Sequence, residues 1–326
     1  LIEYKAKLLS IGKIRAKDIP SEMIAIDRGG PGAGAPSIFL RFGKYRVRLK
    51  VTMNSPLELR CEDMQHTVYL NGERYLNVKL EKPLLHCPEQ AYVMVSPYCT
   101  FGCKYCSVST VKVERDIGEV IGKIDNAASI SMRAVSLTSG IPHYPLDEIR
   151  KTAKVVRELR ERFRVPIGVS VYPAEGASEV LFQSGASEVK YNIETFDREI
   201  FKKVCPNKSQ NNILRHLEEA VHIFGEGKVF SNIIIGLGEE DRTTLQGVEK
   251  LASMGVVTHL RPLSQPTNMS ILTEATSGKA RTPTSERILS LAVRQQEIFN
   301  EYGLIDKAET MCGICHGCEI DPSEVD

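Results

Sequence analysis

Two hydrophobic rhythms divide the chain. Up to about residue 88 the apolar positions recur every second residue. Residues 45–52 (YRVRLKVT) alternate as a half-buried strand does. Residues 67–78 (TVYLNGERYLNV) predict a hairpin, with Asn71-Gly72 supplying the positive φ angles of a tight type I′ turn. From residue 90 short apolar runs alternate with longer stretches of helical period. Strands are predicted at 91–96, 133–138, 166–171, 188–193, 229–235 and 256–260. Helices fall between them, ending near Arg133 and covering 147–164, 178–185, 210–224 and 241–254, with a further one at 284–302. Asp147 is a plausible N-cap, and Gly185 a C-terminal stop. Strands alternating with helices imply right-handed βαβ units and a parallel sheet. The expected fold class is α/β: a partial (βα)6 TIM-like barrel at 89–265, a β-rich N-terminal region at 1–88, and a C-terminal extension at 266–326. That extension reads as a helix and a cysteine-rich end with no further core. In βα barrels the chemistry sits in loops at the C-terminal ends of the strands.

Composition changes this picture little. The chain has 326 residues, 42% hydrophobic and 25% charged, with 42 Lys+Arg against 41 Asp+Glu. A net charge of +1 leaves no basic footprint for nucleic acid and no polybasic membrane anchor. No apolar run approaches the ~20 residues of a membrane helix. The opening LIEYK has no charged region followed by an apolar core, so no signal peptide is expected. The glycine-rich stretch 29–36 (GGPGAGAP) lacks the Gly-Lys-Ser/Thr ending of a phosphate loop and reads as a flexible loop.

The cysteines change it most. Six of the nine fall into two tight triplets, which suits metal binding in a reducing cytoplasm better than a disulfide framework. The first is CTFGCKYC, with Cys99, Cys103 and Cys106 directly after the first barrel strand. Three thiolates this close can hold an iron–sulfur cube and leave one iron without a protein ligand. The second is Cys312, Cys315 and Cys318 in MCGICHGC. A C-x2-C-x2-C run begins a bacterial ferredoxin set, whose fourth cysteine would fall at Pro322. A fourth ligand must then come from Cys205, Cys87, Cys61, His316, a serine or substrate. Zinc is the alternative for either triplet, although zinc sites usually arrive as two separated C-x2-C pairs.

The spacing C-x3-C-x2-C, with Tyr105 before the last cysteine, resembles the cluster loop of the radical S-adenosylmethionine (SAM) enzymes. The resemblance implies a [4Fe–4S] cluster whose open iron chelates the amino and carboxylate groups of SAM. It also implies a 5′-deoxyadenosyl radical that abstracts hydrogen from a substrate. Thr138-Ser139-Gly140 closes the second strand and resembles the segment that meets the SAM amino group in the biotin-synthase-like branch; a glycine there lets a ligand approach the backbone. Asn192 and Glu194, on one face of the fourth strand end, resemble the Asn-x-Glu-Thr segment of lipoyl and biotin synthases that contacts the SAM ribose. Residues 232–239 (NIIIGLGE) resemble the segment that meets adenine beside a glycine, here Gly236, with Asn232 in place of the first glycine. Arg261, after the sixth strand, offers a fixed cation for the SAM carboxylate or a substrate.

Biotin synthases carry a cluster cysteine near Phe230 or Ser231, and none is present here. Ordinary lipoyl synthases carry an N-terminal cysteine set and a terminal serine ligand, which are also missing. The chain more closely resembles a subunit of the two-component, archaeal-type lipoyl synthases. That resemblance implies a second [4Fe–4S] cluster as sulfur donor and a protein-bound octanoyl chain, on a lipoyl-carrier protein or an octanoyl-lysine peptide, as substrate. It further implies a companion radical SAM subunit and a reductant such as ferredoxin. The alternatives are another radical SAM reaction (methylation, ring formation or a different cofactor-biosynthetic step) with an electron-carrying second cluster, and a non-enzymatic iron–sulfur carrier.

Overall fold

The computed structural model describes residues 1–25, 35–62, 64–106, 108, 115–128, 132–263 and 269–325. The loop expected at 29–36 lies outside the described residues, apart from its last two.

The N-terminal region is a closed barrel behind a helix, α1 (Ile2–Ile11). Its strands are β1 (Lys13–Ala16), β2 (Ser37–Phe42), β3 (Tyr45–Val51), β4 (Leu57–Glu62), β5 (Gln65–Leu70) and β6 (Glu73–Glu81), in the spatial order β1-β3-β2-β6-β5-β4. The alternation seen in sequence points Ile38, Leu40, Val47, Leu49, Leu57, Val68 and Val78 into its core. Asn71 and Gly72 have φ of 52° and 89°, as the tight hairpin between β5 and β6 needs. Helix α1 was not legible because its buried side includes Lys5, whose charge interrupts the apolar stripe.

The second sheet contains β7 (Gln90–Met94), β8 (Ala134–Thr138), β9 (Ile167–Ser170), β10 (Glu188–Lys190), β11 (Val229–Ile235) and β12 (Val256–Pro262). All neighbours are parallel and follow chain order, and β12 is not paired back to β7. This is the expected partial (βα)6 barrel. Its helices are α2 (Ile117–Ala127), α3 (Pro145–Arg162), α4 (Ala177–Gln183), α5 (Arg198–Val204), α6 (Gln210–Phe224) and α7 (Asp241–Ala252). Helix α3 starts earlier than expected. Pro145 occupies its first turn with Tyr144 as N-cap, and Asp147 sits inside that turn, where its charge still complements the helix dipole. Strand β10 ends early because Ile193 N–H donates to Ser231 Oγ (3.0 Å) and Glu194 turns to φ 67°. Gly185, at φ 98°, follows the end of α4 as expected.

Residues 269–325 overturn the expectation of a coreless tail. Helices α8 (Met269–Ala275) and α9 (Ser285–Tyr302) bury Leu272, Ile288, Leu291, Ile298 and Phe299, and α9 packs on both α7 and α1. The chain then enters the concave side of the barrel. Residues two apart on a strand share a face. Tyr92, Thr138, Ser170, Lys190 and Arg261 line the interior cavity. One step nearer the strand starts lie Gln90, Ser136, Gly168, Glu188 and His259, and these meet the tail. Gln90 Nε2 donates to the Met311 carbonyl (2.7 Å) and Met311 N–H to Ser136 Oγ (2.9 Å). His259 faces Glu319 at 3.2 Å. A Cβ on Gly168 would stand 1.9 Å from Thr310 Oγ1, so only glycine admits the tail there. The polar inner layer is thus met by backbone and side-chain groups of the tail, as buried polar groups require.

Glu188 shows the cost of this layer. It is buried and accepts hydrogen bonds from Thr310 Oγ1 and from Glu309 N–H. Burial raises its carboxyl from 4.5 to about 7, against the pull of those donors. The folded state therefore keeps a proton that the unfolded chain releases near pH 4.5, and stability falls as pH rises through this window. Glu188→Gln is expected to flatten the fall in melting temperature between pH 5 and 8. Its relative gain at the alkaline end would reach roughly 3 kcal/mol. A thermal-melt series in which the variant keeps the full wild-type slope would contradict this.

Candidate functional site

The loop after β7 is seated by the end of β8. Gly140 N–H donates to the Ser96 carbonyl (2.9 Å), and Thr100 N–H to the Ile141 carbonyl (2.8 Å). A Cβ on Gly140 would lie 2.3 Å from the Tyr98 carbonyl oxygen. The glycine therefore makes room for the cysteine loop itself. Ser139 Oγ is likewise committed: it accepts from Ser96 N–H (3.0 Å) and donates to Glu148 of α3. Thr138, Ser139 and Gly140 all border the cavity, and the hydrogen bonds of Ser139 and Gly140 hold the loop.

Cys99, Cys103 and Cys106 open onto a cavity of about 370 Å³, within the usual range for small-molecule sites. Cys106 N–H closes a turn on the Cys103 carbonyl (3.0 Å), and Lys104 N–H ties the loop to the Val204 carbonyl (2.8 Å). A hydrogen bond from Cys205 draws the Cys103 thiol down, aided by Lys208 and opposed by burial. Burial pushes Cys106 up to about 12. Tyr105 is buried, and Cys205 Sγ stands 3.6 Å from its hydroxyl. On the adjoining wall Glu194 forms an ion pair with Lys208 (2.8 Å), and Asn192 Oδ1 accepts from Asn232 N–H (3.2 Å). Asn192 and Glu194 both line the cavity, on one face as their spacing implied.

The second triplet faces the same cavity. Cys312–Cys315 form a single helical turn, α10, flanked by Met311 and His316 at φ 52° and 47°. Cys312, Cys315 and Cys318 all line the cavity, as does Cys87. The N-terminal barrel braces this turn. Arg48 N–H donates to the Gly317 carbonyl (2.6 Å), Arg46 Nη1 to the Cys315 carbonyl (3.3 Å) and Lys5 Nζ to the His316 carbonyl (2.7 Å). Arg261 points into the cavity and is ion-paired to Glu319 (2.9 Å). Although Glu319 is buried, Arg261 and His259 hold its carboxyl well below the usual range.

Gly236 stands elsewhere. It has φ 112°, and a Cβ there would meet the Arg281 carbonyl oxygen at 2.4 Å. It lines a separate groove with Glu239, Arg281 and Arg287. The chain after α8 crosses this strand end and covers the glycine. The sequence reading also missed Tyr92, Lys190, Lys208 and Asn232 of the cavity wall. Lys190 shares the two-residue spacing of Asn192 and Glu194, a signal available in sequence. Lys208 lies in an aperiodic loop and carried none.

Among the described residues, no three His, Cys, Asp or Glu side chains converge as a single metal ion requires. A zinc ion gathers four donors at about 2.0–2.3 Å. An iron–sulfur cube instead takes one thiolate at each of several irons, so its ligands stand apart around a larger body. Three thiols opening onto one cavity, with a carboxylate and an amide on the next wall, fit a cluster with a polar ligand beside it.

A parallel (βα)6 arc with a three-cysteine loop after its first strand defines a radical SAM enzyme. The Radical SAM superfamily description matches residues 93–251, from β7 into α7, so the chain carries a radical SAM domain. Such a domain implies a [4Fe–4S] cluster and SAM. The chain is similar to a lipoyl synthase of Glaesserella parasuis serovar 5 (strain SH0165), 24% identical over 221 residues, covering 64% of this chain and 68% of that protein. It is similar to the mitochondrial lipoyl synthase of Drosophila ananassae at 27% over 199 residues, covering 56% and 51%. Among solved structures it is similar to methylornithine synthase, with 16% identity and a TM-score of 0.46 over 63% of this chain and 68% of that one. The other lipoyl synthases it matches include ones spanned over 51% to 58% of their length. No helix among the described residues is long and apolar enough to cross a membrane.

Proposed function

We propose that this protein is a sulfur-inserting radical SAM enzyme of lipoyl-synthase type, acting on a protein-bound octanoyl chain. The observation that supports the reading is that both cysteine triplets open onto one cavity. A radical generated beside Cys99, Cys103 and Cys106 would share an enclosure with sulfur held by Cys312, Cys315 and Cys318. When bound, the first cluster with SAM supplies the 5′-deoxyadenosyl radical, and the second cluster supplies sulfide.

The chain's own residues bind and orient. Asn192 and Glu194 would accept hydrogen bonds from ribose hydroxyls, with Lys208 fixing the Glu194 carboxylate. Arg261 would meet an anionic group, either of SAM or of the substrate's carrier. Tyr92, Met94, Ile234 and Leu263 give the cavity an apolar wall that suits an alkyl chain and excludes water. A companion radical SAM subunit would add the other sulfur, and a ferredoxin-type protein would supply electrons.

The test is anaerobic. Reconstituted protein receives SAM, a reductant and an octanoyl-lysine peptide. The expected products are 5′-deoxyadenosine and a peptide heavier by one sulfur. Deoxyadenosine without sulfur gain would sink the lipoyl assignment and leave the superfamily intact.

A further inference from the structure

We infer that Cys87 completes the second cysteine site, so that Cys87, Cys312, Cys315 and Cys318 together ligate a fully thiolate-bound [4Fe–4S] cluster. The inference rests on the reading of the second triplet as a cluster site.

Nothing in the spacing of the C-terminal run marks Cys87, which lies more than two hundred residues upstream of Cys312. The fold brings it there. Cys87 occupies the turn between β6 and β7, where it bridges to Gln90 and its carbonyl accepts from Leu84 N–H (2.9 Å). Glu89, at φ 62°, completes the turn and is held by Arg46 (3.0 Å). The Cys87 thiol is buried against Cys315, within hydrogen-bonding reach, in a small apolar cluster with Phe39 and Ala25. Gln90, three residues on, holds the Met311 carbonyl at the foot of the triplet. One turn of chain thus fixes both Cys87 and the base of the C-terminal run.

Of the other candidates, Cys61, Cys205 and His316 are directed elsewhere. Cys61 is exposed on β4, paired across the hairpin with His66. Cys205 contacts Cys103 and Tyr105 of the first triplet and does not line the cavity. His316 faces Asp321 (3.4 Å) and is also absent from the cavity wall. Ser37 does line it, but its hydroxyl donates to the Ala25 carbonyl (3.3 Å) and accepts from Arg48 Nε (2.8 Å). His86 lines it too, with its ring against Tyr92 at 4.8 Å. Each triplet therefore has one further cysteine close by, but only Cys87 presents its thiol on the cavity side. The two sites differ in consequence. The first keeps an iron free for a small ligand, whereas the second would have all four irons occupied by thiolates and would offer substrate only its sulfides.

The experiment uses the full chain with Cys99, Cys103 and Cys106 replaced by alanine, which isolates the second site. After anaerobic reconstitution this variant is expected to hold about four iron atoms with the Mössbauer signature of a cubane. Adding Cys87→Ala should remove at least one iron per cluster and leave a three-iron signal, or no cluster, in oxidised samples. Adding Cys87→Ser instead should retain iron but shift the EPR spectrum of the reduced cluster. Cys205→Ala in the same background should change neither. If Cys87→Ala and Cys87→Ser both keep the parent iron content and spectrum, the Cys87 assignment is wrong while the second cluster stands. If the parent itself binds no cluster, the reading beneath the inference fails. Should Cys87→Ala lose its fold by circular dichroism, the serine variant alone decides.

Discussion

Cys103→Ala is expected to reduce 5′-deoxyadenosine formation to the level of a protein-free control. Cys103 is the middle cysteine of the first triplet and the most buried of the three. Its backbone carbonyl closes the turn that brings Cys106 round, and its neighbour Lys104 pins the loop to the end of α5. Alanine leaves two protein thiolates, too few to hold a cube with one open iron. The second site is separately supported by β2, β3 and the barrel's inner layer, so its iron should survive. Iron analysis and the SAM-induced change in the first cluster's EPR spectrum are the measurements. Deoxyadenosine formed at an undiminished rate would show that the radical does not arise at Cys99–Cys106.

The second large effect is expected in the N-terminal helix that braces the second triplet. Lys5 is fully buried in α1, ion-paired with Glu324 and hydrogen-bonded to the His316 carbonyl. Burial pushes its ammonium below its usual range, although Glu324 pulls the other way. The pair is therefore costly to build and more costly to break. Lys5→Ala would leave Glu324 buried without its cation and the His316 carbonyl without its donor. A loss of about 3–5 kcal/mol is expected. The first visible consequence should be iron loss from the second site, because His316 lies between Cys315 and Cys318. Urea unfolding and iron counts test this. A variant with an unchanged urea midpoint and full iron would refute the role given to Lys5. Lys5→Met, which fills the space without the charge, should recover little while Glu324 remains; the double change with Glu324→Leu should recover more.

Much of this protein is written locally. The strands β7 to β12 were legible because a parallel sheet covered by helices needs short apolar runs at regular intervals. Cys99, Cys103 and Cys106 were legible because one loop carries them all. Asn192 and Glu194 were legible as a pair because side chains two apart on an extended chain share a face. The glycines were legible only in part. Gly140 and Gly236 read as places where a ligand meets backbone, and the structure shows that another part of the same chain comes close to each. A glycine records that something comes close, but it does not record what.

The C-terminal residues were misread for a related reason. Met311, Thr310 and Glu319 fill the barrel only because Gln90, Ser136, Glu188 and His259 present polar groups inward to receive them. Such long-range pairing leaves no periodic trace in either partner. Each triplet stood out as a candidate ligand set from spacing alone. Their meeting on one cavity, with Cys87 beside the second and Cys205 behind the first, was decided by tertiary structure. Ligand spacing within a loop is a property of a few neighbouring residues. The separation between two loops depends on how the barrel, the tail and the N-terminal strands pack against one another.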